Sequence, residues 1–173
     1  MRSSPVTILA SLSVIGLLAG CGASTHPAAT QSSGGIGGSV STALGTEPKI
    51  VVPTGAPPSR LETSDIVVGH GTLVTSTSET VTIQYEGVNF AGGKVFDASW
   101  TDTPGQPTTF ALTQVVPGFG QGIVGMRIGG RREIVIPPAL GYGAAGSPPA
   151  VGPNETLIFV VDLVAVSSGT GPG

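Results

Sequence analysis

Few residues of this 173-residue chain could act as a nucleophile or as an acid–base catalyst. The chain contains two histidines, His26 and His70, and its only cysteine is Cys21. A serine or cysteine nucleophile needs a base such as histidine within hydrogen-bonding reach, and only His70 lies in the patterned part of the chain. The residue spacings that mark zinc or calcium sites are absent, so the sequence predicts no metal site. Covalent and metal-assisted catalysis are therefore disfavoured.

One string resembles a cofactor motif. GQGIVG at residues 120–125 matches the dinucleotide-binding pattern G-x-G-x-x-G. That pattern binds a pyrophosphate when it links a strand to a helix in a βαβ unit and a ribose-binding acid follows. Here the string lies inside a helix candidate and neither condition is met. We interpret the match as chance and expect no cofactor.

The aromatic residues indicate a different chemistry. Tyr85, Phe96 and Phe159 fall on strand candidates, and Phe119 falls on the helix candidate. Tyr142 lies in a Gly-Tyr-Gly loop, where a large side chain has no secondary-structure reason to be buried. These residues could form an apolar, water-poor binding pocket. The alternative is an ordinary hydrophobic core.

The elements that must position these side chains are short strands around one helix. Residues 80–87 alternate apolar and polar types, which predicts a half-buried strand, and residues 156–166 are apolar on both faces, which predicts a central strand. Pro117 suits the first position of a helix, although the glycines that follow require a sheet packed against it. Other strand candidates lie at residues 65–69, 94–99, 108–112 and 131–138. The sum is an α+β domain in which an antiparallel sheet packs against one short helix.

Composition supports one compact domain with flexible ends. The formal net charge is −3 and no basic stripe exists, so nucleic-acid binding is not expected. Residues 21–58 are rich in Gly, Ser, Thr, Pro and Ala without periodicity, which predicts a flexible tether. The patterned domain is expected at residues 59–167, and a disordered tail at 168–173.

The N-terminus indicates export. Arg2 precedes an apolar run that is too short for a transmembrane helix, so residues 1–20 read as a signal peptide. The tetrapeptide Leu18-Ala19-Gly20-Cys21 resembles the bacterial lipobox, which implies cleavage before Cys21 and acylation of that residue. The expected location is the cell envelope, as a bacterial lipoprotein anchored on the extracytoplasmic side of the membrane. The alternative is an ordinary signal peptide with a chance cysteine.

Five separated motifs together resemble the FKBP-type peptidyl-prolyl cis-trans isomerase family, in family order and at nearly family spacing. They are YEG at 85–87, KVFDAS at 94–99, VVPGFGQGIVGM at 115–126, GGRREIVIPPALGYGAAG at 129–146 and TLIFVVDLV at 156–164. The resemblance implies an antiparallel sheet of five or six strands wrapped around a short helix, with a pocket between them.

The resemblance also implies the residues of the pocket. The catalytic group would be Tyr85, Phe96, Asp97, Tyr142 and Phe159. Six further residues would bind the substrate: Phe110, Val115, Val116, Phe119, Ala150 and Val151. Two departures stand out: Phe119 occupies a position that is usually tryptophan, and the arginine that often braces the pocket aspartate is absent. We expect these changes to affect macrolide affinity more than isomerase activity.

The implied function is acceleration of X–Pro isomerisation in exported proteins by a lipid-anchored monomer that needs no cofactor. Expected partners are proline-containing polypeptides, inhibitors of the tacrolimus or rapamycin type, and the membrane. Two alternatives remain. The pocket could bind proline segments as a chaperone module with weak or no turnover, or the protein could be a structural envelope lipoprotein.

Overall fold

The structure is a computed structural model that describes residues 32–34, 36, 39–102 and 105–168. The predicted signal peptide, Cys21 and residues 169–173 lie outside the described residues. No helix among the described residues is long and apolar enough to cross a membrane.

A six-stranded antiparallel sheet forms the body of the molecule. Its strands are β4 (Glu62–Val67), β5 (Thr80–Asn89), β6 (Val95–Ala98), β7 (Thr108–Ala111), β8 (Arg131–Ile136) and β9 (Leu157–Ser167). Their spatial order is β4-β8-β9-β5-β6, and β7 pairs with the other end of β5. The predicted α+β fold is confirmed. The long strand β9 is central, as its two apolar faces predict, because it pairs with β5 on one side and β8 on the other.

The main helix, α2 (Pro117–Ile123), packs on one face of this sheet. Its glycines weaken an isolated helix but allow a close approach to β8. A Cβ atom added at Gly118 would lie 2.5 Å from Cγ2 of Ile136, and one at Gly122 would lie 2.5 Å from Cγ2 of Ile134. The helix therefore depends on the sheet, and the main hydrophobic core lies between them. A second helix, α1 (Ser99–Asp102), is a single turn after β6.

The opposite face of the sheet is covered by residues 39–52, which we call the strap. The strap contains β2 (Ser39–Ser41) and β3 (Ile50–Val51), and β2 also pairs with β1 (Ser32–Gly34). Val40 is fully buried against Ile66 and Val160. The composition of residues 21–58 predicts a flexible tether, and for the strap this prediction is wrong, because apolar side chains of the strap bury against the sheet.

A buried ion pair also holds the strap. The Arg131 guanidinium forms a bidentate pair with Asp162 on the neighbouring strand, and it is fully buried. The same guanidinium donates to the backbone carbonyls of Ser41 and Thr46, each at 2.8 Å. A buried charge requires such partners. The strap thus completes the hydrogen bonding of Arg131.

Candidate functional site

A cavity of about 270 Å³ opens between α2 and the inner face of the sheet. Strand β5 supplies Tyr85, β6 supplies Asp97 and β9 supplies Phe159, while Phe119 projects from α2. The remaining lining residues are Phe110, Gln114, Val115, Val116 and Tyr142. The cavity is mostly apolar with a few polar groups at one side, which is the usual character of a small-ligand site.

The aromatic rings of the cavity pack edge to face, which fixes their orientation. Phe119 and Phe159 have ring centroids 4.7 Å apart, and Phe96 packs on Phe159 at 5.4 Å with the ring planes at 84°. Tyr85 contacts Phe110 at 5.6 Å and Phe119 at 6.3 Å. Such pairs stabilise by roughly 0.5–1.5 kcal/mol beyond their area burial. The walls of the cavity are therefore rigid before any ligand binds.

A glycine makes the ring packing possible. A Cβ atom at Gly87 would lie 2.7 Å from Cε1 of Phe159 and 2.9 Å from Cζ of Phe96. Any side chain at this position would push the two rings out of the cavity wall. The role of Gly87 in the YEG motif is thus to leave space.

The polar side of the cavity centres on Asp97. The Tyr85 hydroxyl donates to Oδ1 of Asp97 at 2.9 Å. Burial raises the pKa of Asp97. The hydrogen bond from Tyr85 lowers this pKa, whereas the charge of Asp102 and a hydrogen bond with the Asp102 carboxyl raise it further. Burial also raises the pKa of Tyr85 and, together with the charge of Asp97, that of Tyr142. Both phenols therefore remain neutral hydrogen-bond donors near neutral pH.

Tyr142 lies at the mouth of the cavity. The loop that carries it follows β8 and begins with a 3₁₀ turn at Pro138–Leu140. Gly143 has a φ of 62° and accepts the amide of Asn154, so glycine is needed directly after the tyrosine. The side chain is 37% exposed. Because Tyr142 also lines the cavity, its side chain can meet a carbonyl group that enters.

The structure brings eight of the eleven predicted pocket residues to the cavity wall. These are Tyr85, Asp97, Phe110, Val115, Val116, Phe119, Tyr142 and Phe159. Phe96 supports Phe159 from behind, and Ala150 and Val151 belong to the core beside the cavity rather than to its lining. Their roles in catalysis and binding remain predictions.

Two residues near the cavity were missed by sequence reasoning. Gln114 lines the cavity at the end of a 3₁₀ turn, and Asp102 ends α1 beside Asp97. Both are exposed polar residues, for which no periodicity gives a signal. A charged residue five positions after the pocket aspartate, in a single helical turn, is the only hint that the sequence offers.

Groups for acid–base or metal chemistry do not converge here. His70 is exposed and does not line the cavity. Within residues 39–102 and 105–168, no cluster of three or more His, Cys, Asp or Glu side chains could hold a metal ion. What the cavity offers is a rigid apolar surface, the phenolic donor of Tyr142, and the Asp97 carboxyl, which already accepts from Tyr85.

Comparisons with known proteins agree on a family. The sequence profile described as FKBP-type peptidyl-prolyl cis-trans isomerase matches residues 73–164. The chain is 46% identical to the FK506-binding protein of Streptomyces anulatus over 123 residues, which cover 69% of this chain and 97% of the relative. It is 40% identical to the probable FK506-binding protein of Corynebacterium glutamicum over 119 residues, 69% of this chain and 98% of that protein. The crystal structure of FkpA from Escherichia coli is similar with a TM-score of 0.57 and 38% identity, covering 63% of this chain and 49% of FkpA.

Proposed function

Because the chain belongs to the FKBP-type peptidyl-prolyl cis-trans isomerase family, we propose that it accelerates X–Pro isomerisation in exported proteins while attached to a membrane through Cys21. The isomerase activity is that of the family. The observation that carries the proposal is the rigid aromatic cavity, which is lined without a histidine, a lysine or a nucleophilic cysteine. This reaction needs no such group, since no covalent bond is made or broken.

The cavity suits the barrier of the reaction. Rotation about an X–Pro bond is opposed by about 18–20 kcal/mol of amide resonance. The twisted amide has lost conjugation and is less dipolar than the planar one, so an apolar cavity lowers the relative cost of twisting. The rings of Phe119 and Phe159, the latter held by Phe96, can accept the twisted X–Pro amide better than the planar one, which is differential binding of the transition state.

The polar side would hold the substrate during rotation. Tyr142 can donate to a substrate carbonyl from the mouth of the cavity. Asp97 accepts from Tyr85 and thereby fixes the position of that ring. Asp97 either acts electrostatically on the substrate carbonyl or only positions Tyr85. The Asp97→Asn variant separates the two roles, because the asparagine carbonyl can still accept from Tyr85 but carries no charge. Activity close to that of the wild type would indicate a positioning role.

Ligands of the FK506 type are proposed for the same cavity. Two of the similar proteins carry FK506 binding in their names. The family profile matches residues 73–164, a range that contains the residues lining the cavity. The apolar walls of the cavity suit a macrolide or a prolyl ring. We propose a monomer, since the cavity is complete within one chain.

Membrane attachment is proposed from the N-terminal sequence alone. Small residues precede Cys21, and the apolar run before them has the length of a signal peptide. One acyl chain gives only marginal membrane binding, whereas two or more make it stable. In a bacterial host, Cys21→Ala should abolish labelling by a radioactive fatty acid and release the protein from the membrane fraction. Persistent labelling of the variant would contradict the anchor.

The isomerase role of the cavity is tested with two aromatic variants. Phe96 supports the cavity wall, whereas Phe90 packs on the other face of the sheet, near Val88 and the strap. In an isomerisation assay on a short proline peptide, Phe96→Ala should lower kcat/KM by at least about tenfold, while Phe90→Ala should stay near the wild type. Equal effects of the two variants would show that the cavity is not the site.

A further inference from the structure

One polar residue, Asn89, is buried on the cavity face of strand β5. Alternate residues of a strand share a face, so Asn89 lies on the same face as Tyr85, which lines the cavity, and Gly87, which leaves space for the rings. Asn89 is only 8% exposed. We propose that Asn89 is a positioning residue of the isomerase and that it holds residues 142–151, the tyrosine loop, so that Tyr142 stays at the mouth of the cavity. This inference rests on the proposed function and adds to it a residue that need not touch the substrate.

The side-chain amide of Asn89 ties the sheet to the tyrosine loop. Its Nδ2 donates to the backbone carbonyl of Ala150 at 3.1 Å, although the two residues are 61 positions apart in the chain. The backbone of Asn89 is itself fixed, because its amide donates to the Lys94 carbonyl at 2.9 Å and its carbonyl accepts from the Gly93 amide at 3.0 Å. Asn89 also pairs with Leu157 on β9. The loop is therefore attached to a rigid end of the sheet.

Backbone hydrogen bonds carry this attachment from Ala150 to Tyr142. The Ala150 amide donates to the Ser147 carbonyl at 3.1 Å, and the Ser147 amide donates to the Val151 carbonyl at 2.9 Å. The amide of the preceding residue, Gly146, donates to the Tyr142 carbonyl at 3.2 Å. The tyrosine loop is thus closed by its own bonds and should move as a unit. A shift of the Ala150 carbonyl would therefore move the tyrosine at the mouth of the cavity.

Stability alone does not account for an asparagine at this position. The Oδ1 atom of Asn89 is buried and has no hydrogen-bond partner among the described residues. An unsatisfied buried acceptor costs more free energy than one neutral hydrogen bond contributes. Leucine has nearly the same shape and would avoid this cost. Ala150 is only partly buried, so without the amide of Asn89 its carbonyl can turn towards water, and the tyrosine loop can shift.

The test compares variants of two neighbouring residues on β5. Asn89→Leu removes the amide donor, whereas Val88→Ala removes apolar contacts with Val135 and Ile158 on the opposite face of the sheet. In an isomerisation assay on a short proline peptide, Asn89→Leu should lower kcat/KM about fivefold, the share of one neutral hydrogen bond from Tyr142. Val88→Ala should stay near the wild type, and urea unfolding establishes that both variants are folded. Equal losses of kcat/KM in the two variants, or no loss in Asn89→Leu, would overturn the inference.

A double variant shows whether Asn89 acts through Tyr142. In Tyr142→Phe the hydroxyl is already absent, so adding Asn89→Leu should lower kcat/KM by less than about twofold further. A merely structural role of Asn89 would give the same loss of about fivefold with either residue at position 142. That result would refute the positioning of Tyr142 by Asn89.

A measurement on the wild-type protein tests the hydrogen bond itself. Asn89 and Asn154 are the only asparagines of the chain, and Asn154 is exposed. In the NMR spectrum, the side-chain amide protons of Asn89 should exchange with water at least about tenfold more slowly than those of Asn154. Equal exchange rates would contradict the bond to Ala150 and overturn the inference, even where Asn89→Leu does not fold.

Failure of the proposed function would be recognised separately. If the wild type isomerises no proline peptide, the proposed function fails, and calorimetric titration of the same peptide then tests the inference alone. Weaker binding to Asn89→Leu than to the wild type, with binding to Val88→Ala unchanged, would support the positioning role. Equal binding to all three proteins would refute it.

Discussion

Because of Glu86, the free energy of unfolding should fall as the pH rises, and this fall should be absent in the Glu86→Gln variant. Glu86 lies on β5 beneath the strap and is only 5% exposed. Burial raises its pKa from 4.5 to about 7; the charge of Glu47 in the strap and a hydrogen bond with Glu47 add to this rise, and Arg131 opposes it. The carboxyl is therefore protonated in the folded protein at a pH where it is ionised in the unfolded chain.

The direction of the effect follows from proton binding. Between about pH 4.5 and 7 the folded state holds a proton that the unfolded state has lost, so the free energy of unfolding falls as the pH rises through this range. Each pKa unit corresponds to about 1.4 kcal/mol, so the full fall is about 3 kcal/mol. Glutamine has the same shape without the charge, and the fall should be absent in Glu86→Gln.

Urea unfolding at a series of pH values between about 5 and 8 measures this difference. The variant should match the wild type within about 1 kcal/mol near pH 5 and exceed it by about 3 kcal/mol near pH 8. Glu62→Gln, on the edge strand β4, serves as the control for the loss of one negative charge. A difference between Glu86→Gln and the wild type that stays constant from pH 5 to 8 would refute the reasoning.

Four further predictions concern the cavity and the strap. Tyr142→Phe should keep the fold and weaken binding of a proline peptide by about 0.5–1.5 kcal/mol in a calorimetric titration, the net worth of one neutral hydrogen bond; unchanged affinity would remove Tyr142 from the site. Phe159→Ala should cost about 3–5 kcal/mol in urea unfolding, because the ring is buried between Phe96 and Phe119, and it should lower kcat/KM in a protein that is still folded. A protein that begins at residue 57 should unfold at lower urea concentration than one that begins at residue 32, because Arg131 loses two carbonyl partners, yet its kcat/KM should be kept since the cavity is on the other face; equal stability of the two proteins would count against the strap. Burial raises the pKa of Asp97, so its charge is lost at a higher pH than that of an ordinary aspartate; if this charge acts on the substrate carbonyl, kcat/KM of the wild type should decline as the pH falls through the raised pKa, and kcat/KM of Asp97→Asn should not.

The sheet and most of the cavity could be predicted from the sequence because their signals are local. The alternation at 80–87 and the apolar run at 156–166 define β5 and β9, and the glycines around Phe119 mark a helix that must pack closely. The order of the five motifs then places the cavity residues relative to these elements.

The strap could not be predicted, since its order comes from distant contacts. Its strands have only two or three residues, too few for a period to be recognised. Its partner Arg131 is 90 residues from Ser41 in the chain. The composition of residues 21–58 indicates that this segment cannot form a core of its own. The strap is ordered because its apolar side chains pack on the outer face of a sheet that other residues form.

The central position of β9 has a consequence for the order in which this protein can fold. Among the described residues β9 is the last strand to leave the ribosome or an export channel, yet it joins β8 to β5. Without it the sheet is split into a pair, β4 and β8, and a separate group of β5, β6 and β7. Neither part is expected to be stable alone, because small groups of strands are marginal in water. Stable folding must therefore wait for strand β9, and until then the isomerase is itself an unfolded polypeptide with fourteen prolines before that strand.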